Sequence, residues 1–277
     1  MSPAWRSQVY SARRLAQTPK TFSNWMPVLV EMAQQRVGRG PDVLNFRSRS
    51  GVTISCPNRP GARVPIYEIF AEDCYRLDWW LGPLLRTPIL TVDIGGHVGT
   101  FTCRLAELNP QAQIMTYEPS ATTASFLRRN AVQNGFAERV TVNQMAVAAT
   151  GGETVLFEDN EGGSGMNGLV AAGHESAGAA QVQTTTFDEI AEAAPGPIDV
   201  VKIDCEGGEY DVVLGSSAES WKSVQRVVME YHPVAGHSWD ELRDRFAEWG
   251  LQVQRADSVN GYGCVWLSRE TLPRTDV

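Results

Sequence analysis

Three glycines lie within five positions, directly after a short apolar run that contains an aspartate. The stretch from Thr91 to Glu107 reads TVDIGGHVGTFTCRLAE and includes Asp93, Gly95, Gly96 and Gly99. Glycine loses more backbone freedom on ordering than any other residue, so this spacing indicates that another group approaches the backbone closely. It differs from the G-x-G-x-x-G of dinucleotide-binding folds, and the aspartate would repel a diphosphate. The pattern favours a ligand with an ammonium or sulfonium group as well as an adenosine.

A second acid follows the next strand-like run, QIMTYE. Glu118 lies 25 positions after Asp93 and is followed by Pro119, which stops the strand. An acid at the end of the second strand of such a fold typically accepts the hydroxyl groups of a ribose. Glu118 is therefore predicted to bind a ribose at the same crevice.

The second half of the chain places acids after two further strand-like runs. The first run reads VKIDCEGGEYDVV, the second VVMEYHP, and their polar residues are Lys202, Asp204, Glu206, Glu209, Glu230 and His232. The ends of adjacent parallel strands lie about 5 Å apart, so both groups can face one crevice.

These residues could remove a proton from a hydroxyl group. A positioned base that takes the proton as a new bond forms accelerates such a reaction by roughly 10² to 10⁴. His232 is the first candidate, because an imidazole titrates near neutral pH. Glu230, two positions earlier on the same predicted strand face, would orient or polarise it. Asp204 is the third catalytic candidate.

A second mechanism is open from the same residues. Asp204, Glu206, Glu230 and His232 form an oxygen-rich set that could hold a hard divalent cation, which would acidify a chelated hydroxyl. We favour the mechanism without a metal, and the sequence does not choose between the two.

The elements that position these residues alternate regularly from residue 88 onward. Short apolar runs such as ILTVDI, QIMTYE, RVTVNQMAV, IDVVKID and VQRVVMEYH are separated by helical patterns, which predicts parallel strands in a doubly wound sheet. LQVQRA and GYGCVWLS, separated by four residues, predict a closing antiparallel hairpin. The expected fold class is α/β, with residues 88–277 as the ligand-binding domain.

Residues 1–87 are predicted to form an N-terminal extension and substrate lid. Helical patterns run from Ser2 to Arg36, and VLNFRSRSGVTISC indicates a hairpin around Ser50 and Gly51. The segment RPGARVP is predicted to be a loop. A glycine-rich segment, Asn160 to Gly168, is predicted to cover the substrate.

The runs VDIGGHVGTFT, YEPS, VKIDCEGGEYDVV and MEYHP together resemble the FkbM family of S-adenosylmethionine-dependent methyltransferases, over roughly residues 65 to 235. The resemblance implies a seven-stranded, Rossmann-like class I methyltransferase sheet. It also implies S-adenosylmethionine as the cofactor, S-adenosylhomocysteine as its product, and methylation of hydroxyl groups on natural products or sugars.

The resemblance implies a cofactor site around the glycine turn. Gly95, Gly96 and Gly99 would lie under the methionine part, and Asp93 would help to hold its amino group. Glu118 would hold the ribose hydroxyls, and Met145 and Ala146 would border the adenine. His97 departs from the small or amide residue expected in that turn and is treated as a wall of the site. The predicted site also includes Tyr75, Pro119 and Asp204.

The charge and composition of the chain restrict which kinds of partner it can bind. The net charge of −8 and the pI near 5.1 argue against a nucleic-acid partner bound through bulk charge. Five scattered cysteines fit a reducing compartment, and no apolar run approaches the roughly 18 residues that span a bilayer. We expect a cytoplasmic protein with a small hydroxylated substrate and no membrane partner, and a homodimer through the N-terminal segment is considered.

Other functions remain open at this point. The same fold could methylate nitrogen, carbon or a carboxylate, and a carboxylate would need no base. An NAD-dependent oxidoreductase is disfavoured by Asp93 and by the missing glycine pattern. A binding module without catalysis is the remaining class.

Overall fold

The computed structural model describes residues 3–158, 179–259 and 262–273. The predicted lid at Asn160 to Gly168 lies outside these residues. No helix in the described ranges is both long and apolar enough to cross a membrane.

The N-terminal region combines helices with a hairpin. Its elements are α1 (Pro3–Thr21), α2 (Trp25–Gln35), β1 (Val43–Arg47), β2 (Thr53–Pro57), α3 (Pro60–Phe70) and α4 (Leu77–Leu81), followed by a 3₁₀ helix (Gly82–Arg86). Antiparallel pairing of β1 with β2 confirms the predicted hairpin. The prediction of a loop over RPGARVP is wrong, because α3 begins at Pro60. Proline suits the first turn of a helix, where its missing N–H would have no partner within the helix.

The remaining elements alternate along the chain. They are β3 (Leu90–Ile94), α5 (Thr100–Leu108), β4 (Gln113–Tyr117), α6 (Ala121–Gln133), β5 (Val140–Asn143), β6 (Ala146–Val147), β7 (Thr154–Glu158), β8 (Ala179–Thr185), α7 (Phe187–Ala193), β9 (Val200–Ile203), α8 (Glu209–Leu214), β10 (Arg226–Tyr231), α9 (Trp239–Glu248), β11 (Gln252–Val259) and β12 (Tyr262–Ser268).

Seven strands form the main sheet in the order β11-β12-β10-β9-β3-β4-β5. The strands from β10 to β5 are parallel, whereas β12 pairs antiparallel with β10 and with β11. The α/β fold, the seven-stranded doubly wound sheet and its antiparallel C-terminal hairpin are confirmed. A separate three-stranded sheet, β6-β8-β7, was not predicted.

Burial on both faces explains the apolar runs of the central strands. Every residue of β3 and of β9 is buried. Val92 and Val201 belong to the core on one face of the sheet, and Ile114 and Val200 to the core on the other. From β3, the chain first adds β4 and β5 on one side and later β9 and β10 on the other, so the direction of strand addition switches at β3. Ligands bind beyond the carboxyl ends of the strands at such a switch point.

The N-terminal region packs onto this sheet layer. Phe22, Phe46 and Tyr67 meet edge to face and share a core with Val98 and Cys103 of the sheet domain. The amide of Asn130 in α6 donates to the backbone carbonyl of Ser55 in β2 at 2.9 Å. The division into residues 1–87 and 88–277 stays a prediction.

Candidate active site

The glycine turn lies between β3 and α5, at the switch point of the sheet. Gly95 and Gly99 have φ angles of +80° and +83°, and His97 between them has +48°. A Cβ on Gly95 would lie 1.8 Å from the carbonyl oxygen of Asp204, and one on Gly96 would lie 2.1 Å from Thr116 Oγ1. On the side where a Cβ would stand, the protein's own chain approaches Gly95 and Gly96, and this contact alone requires glycine there. The contact of these glycines with a cofactor stays a prediction.

Asp93 is buried beneath this turn. Its Oδ1 lies 3.3 Å from Lys202 Nζ, and its Oδ2 accepts a hydrogen bond of 2.5 Å from Thr102 Oγ1. Lys202 Nζ also donates to the carbonyl of Gly95 at 2.7 Å. Burial alone would lower the pKa of Lys202, but Asp93, Asp204 and Glu230 raise it above its ordinary value. Asp93 thus helps to hold the turn through Lys202, and its contact with a cofactor amino group stays a prediction.

Glu118 faces the turn from the end of β4. Its Oε2 accepts from the backbone N–H of His97 at 2.7 Å, and its Oε1 accepts from Ser120 N and Thr123 Oγ1 at 2.9 and 2.8 Å. Burial raises the pKa of Glu118, and these three donors oppose that rise. Because a carboxylate has about four acceptor positions, roughly one remains for a ligand. A ribose would therefore meet a carboxylate that is already fixed in place.

Two adjoining cavities open at the carboxyl ends of the strands. One, of about 340 Å³, is called here the acidic cavity, and it is lined by residues that include Glu68, His97, Glu118, Asp204, Glu206, Glu230, His232 and Tyr262. The other, of about 310 Å³, is called the apolar cavity, and its lining includes Tyr117, Met145, Ala146 and Val147. Gly95, Pro119 and Cys205 line both, so the two cavities are neighbours. The geometry brings most of the predicted site residues to this place.

Tyr75 lies under the acidic cavity and reaches its carboxylates. It is 4% exposed, its ring packs edge to face on Phe101, and its hydroxyl donates to Asp204 Oδ2 at 3.2 Å. Burial and the charge of Asp204 together raise the pKa of Glu230 to about 8, while the nearby hydroxyl of Tyr75 opposes the rise. Glu230 is therefore a carboxyl group that titrates near neutral pH.

Glu68 is a site residue that the sequence did not reveal. It lies on α3 and lines the acidic cavity, although it comes 25 positions before Asp93 in the chain. Burial raises its pKa to about 7 against the opposing charge of Arg14, whose Nη2 donates to it at 3.1 Å. No pattern in the sequence marks it, because only the packing of α3 on α5 brings it to the cavity.

His232 follows β10 and is held by two carboxylates. Its Nδ1 lies 2.9 Å from Glu209 Oε1, and its Nε2 lies 3.4 Å from Glu206 Oε2. Burial alone would lower the pKa of His232, but the hydrogen bond and charge of Glu209 and the charge of Glu206 raise it to about 9. The expectation that Glu230 orients His232 is corrected: Glu209 and Glu206 do so.

This geometry favours Glu230 over His232 as the candidate base. An imidazolium has no lone pair with which to accept a proton, so His232 is poorly suited as a base at neutral pH. Glu230, with a pKa of about 8, has the value that general base catalysis favours. Both roles stay predictions.

The candidate metal ligands share one cavity, and metal binding by them stays a prediction. Within the described ranges, no group of three or more His, Cys, Asp or Glu side chains is arranged to hold a metal ion. Asp204, Glu206, Glu230 and His232 all line the acidic cavity, but His232 is engaged with Glu206 and Glu209.

The fold and the comparisons with known proteins define the class: this is an S-adenosylmethionine-dependent methyltransferase. A family model described as the methyltransferase FkbM domain matches residues 93–253, so the chain belongs to the FkbM methyltransferase family.

Two curated relatives are also methyltransferases by name. Methyltransferase sdnD of Sordaria araneosa is 27% identical over 221 residues, covering 66% of this chain and 83% of that protein. Methyltransferase 1 of Beauveria bassiana is 26% identical over 180 residues, covering 59% and 70%. Among solved structures, a putative transferase of Pyrococcus horikoshii has a TM-score of 0.44 at 13% identity, covering 87% of this chain and 81% of that one.

Proposed function

We propose that this methyltransferase transfers a methyl group to a hydroxyl of a small molecule, such as a specialised metabolite or a sugar. The observation that carries the proposal is Glu230. It is a half-buried carboxyl group with a pKa of about 8, and it lines a cavity together with Asp204. A base of this kind assists an alcohol, which is a poor nucleophile while it keeps its proton.

The residues present fit S-adenosylmethionine. The apolar cavity offers Met145 and Ala146 to an adenine, and Glu118 at the border offers an acceptor to a ribose hydroxyl. The carboxylates of the acidic cavity favour a positive charge. When bound, S-adenosylmethionine supplies a methyl group on a positively charged sulfur, and S-adenosylhomocysteine is its product.

The protein's own side chains have three tasks in this proposal. The acidic cavity positions the acceptor hydroxyl next to Glu230, whose carboxylate takes the proton as the oxygen gains the methyl group. The hydroxyl of Tyr75 donates to Asp204 Oδ2 and so fixes the position of this carboxylate, whose charge helps to raise the pKa of Glu230. Lys202 fixes the floor of the site through its bond to the carbonyl of Gly95.

The charge of the acidic cavity distinguishes between the other possible methyl acceptors. A carboxylate acceptor would meet the carboxylates of Asp204 and Glu206 in the same cavity, and like charges repel. The same lining attracts a protonated amine, so N-methylation is the second candidate. A C-methyltransferase has no specific support here, and the family match leaves an NAD-dependent oxidoreductase without support.

The test is transfer of an isotope-labelled methyl group from S-adenosylmethionine to matched acceptors that carry a hydroxyl, an amine or a carboxylate. We expect labelled ether from the hydroxylated acceptors, and a loss of this product in Glu230→Gln. Glu219→Gln, which changes an exposed acid that does not line the acidic cavity, is the control and should be unaffected. Labelled amine or ester as the sole product would overturn the proposal, and so would transfer to hydroxyls that is indifferent to Glu230→Gln.

The oligomeric state and the cellular location of the enzyme are two further predictions. A homodimer through the N-terminal segment would give twice the mass of 30.4 kDa in sedimentation equilibrium. A cytoplasmic location would be seen by fractionation of the producing cell.

A further inference from the structure

The charge of the chain is distributed unevenly. Residues 1–64 contain ten of the 24 Lys and Arg residues but only two of the 32 Asp and Glu residues. The chain as a whole carries −8, so a strongly basic segment is joined to a strongly acidic body. Such an asymmetry indicates that the basic segment meets an anionic partner.

A cavity of about 270 Å³ lies within this basic segment, between α1, α2 and α3. Three guanidinium groups line it, from Arg14, Arg36 and Arg63. In the described part of the chain, no Asp or Glu side chain is among the residues that line it. Residues 1–11 contain no Asp or Glu, since the first acid in the sequence is Glu31, so their side chains add no negative charge to the cavity.

Arg63 is the arginine whose charge is least compensated by neighbouring groups. It lies in the first turn of α3, and its Nη2 donates to the Oδ1 of the buried Asn58. Its Nε is buried, and among the described residues nothing accepts a hydrogen bond from it. Burial lowers the pKa of Arg63, and the nearby charge of Arg36 lowers it further.

Neither Arg36 nor Arg63 has a carboxylate within 4 Å anywhere in the described ranges. Arg14 is the exception, since it is paired with Glu68 at 3.1 Å and Glu72 at 3.9 Å. Like charges held together at a partly enclosed site are stabilised by an anion between them. The positive end of α3 adds to the same field.

The remaining walls of the cavity are not charged. Leu15 and Met32 supply apolar surface, and Tyr67 also lines the cavity, with its hydroxyl engaged with Thr18 at 2.8 Å. The cavity therefore combines a cationic side with an apolar side. Its volume of about 270 Å³ is enough for an anionic group with a short apolar chain.

We propose that this cavity is a second binding site, which takes a small molecule with a phosphate or carboxylate group attached to a short apolar body. The guanidinium groups of Arg36 and Arg63 bind the oxyanion, since their planar donors match two oxygens of either group. The apolar body packs against Leu15, Met32 and the ring of Tyr67. The site is separate from the cavities at the sheet and does not depend on the reaction that occurs there.

Titration calorimetry on the full chain at low salt tests the site with three probes: inorganic phosphate, butyl phosphate and butyrate. We expect one equivalent of butyl phosphate to bind more tightly than inorganic phosphate, because only the former uses the apolar wall. Comparison with butyrate then tells whether the site prefers phosphate or carboxylate. Arg36→Gln and Arg63→Gln should each weaken the binding at least tenfold.

The matched control is Arg39→Gln, which removes an exposed arginine of the same segment that does not line the cavity. It should bind as the wild type does. Arg36 is exposed at the mouth of the cavity, so its variant should keep the wild-type melting temperature even if Arg63→Gln is less stable.

Two outcomes would overturn the proposal. One is the absence of saturable binding of any of the three probes. The other is equal weakening by Arg36→Gln and Arg39→Gln together with tight binding of long polyphosphate, which would indicate general attraction of polyanions to a basic surface. Neither result depends on methyl transfer, so it leaves the proposed function untouched.

Discussion

The ring of His232 lies between two carboxylates, 2.9 Å from Glu209 and 3.4 Å from Glu206. Glu209 is completely buried and also accepts from the backbone N–H groups of Cys205 and Gly207. The imidazolium therefore ties the loop after β9 to the end of β10. This contact is structural, and the role of base that we propose for Glu230 does not involve it.

The first prediction concerns the pH dependence of stability. The pKa of His232 is raised from 6.5 to about 9, so its stabilising contribution is fully present below pH 6.5 and is lost as the pH rises through 9. A shift of this size corresponds to about 3 kcal/mol. Urea unfolding at pH 6 and at pH 9.5 should show this loss in the wild type and not in His232→Gln.

His237 provides the control for that experiment. It forms an exposed pair with Glu241 at 2.9 Å, and exposed pairs contribute little. His237→Gln should therefore keep the pH dependence of the wild type. If His232→Gln and His237→Gln lose stability in parallel as the pH rises, the buried pair is not its source.

The second prediction concerns the base. Glu230→Gln should lower kcat by roughly 10² to 10⁴ while leaving the affinity for S-adenosylmethionine almost unchanged. In the wild type, kcat should rise with pH through about 8, because the carboxyl group must lose its proton before it can act. His232→Gln should keep this rise, and a profile that instead vanishes in His232→Gln would return the role of base to the histidine.

The third prediction concerns Glu118. Glu118→Ala should weaken binding of S-adenosylmethionine by about 1.5 to 3 kcal/mol for each hydrogen bond lost to the ribose. Calorimetry measures this loss, and Glu138→Ala, which removes an exposed acid, is the control. An unchanged affinity in a folded Glu118→Ala protein would contradict the ribose assignment.

The fourth prediction separates two reasons for glycine in the turn. Gly95→Ala should destabilise the protein by about 3 kcal/mol or more, because its Cβ would lie 1.8 Å from the carbonyl oxygen of Asp204. Gly135 has a similar φ of +73° but open space around it, so Gly135→Ala should cost only about 1 kcal/mol. Chemical denaturation measures both, and equal losses would mean that backbone strain, not the close contact, requires Gly95.

Local patterns were enough to predict much of this molecule. The alternation after residue 88 predicts the parallel strands, because a strand buried on both faces is mostly apolar, as β3 and β9 are apart from Thr91, Asp93 and Lys202. The same reasoning places Glu118 and Glu230 at one edge of the sheet, since parallel strands end together. The hairpin of β11 and β12 follows from its short connection.

Long-range packing decided what those residues do. Glu68 reaches the acidic cavity only because α3 packs on α5, and no spacing in the chain connects it with Glu230. Likewise, the carbonyl of Asp204 lies against Gly95 only because β3 and β9 pair, so the need for glycine at position 95 arises from that pairing. A pKa depends on burial and on neighbouring charges in space, and sequence distance reports neither. The sequence therefore determined at which strand ends the ionisable groups lie. The tertiary structure decided their neighbours, and so that the pKa of His232 is raised by Glu209 and Glu206 and that of Glu230 by burial and Asp204.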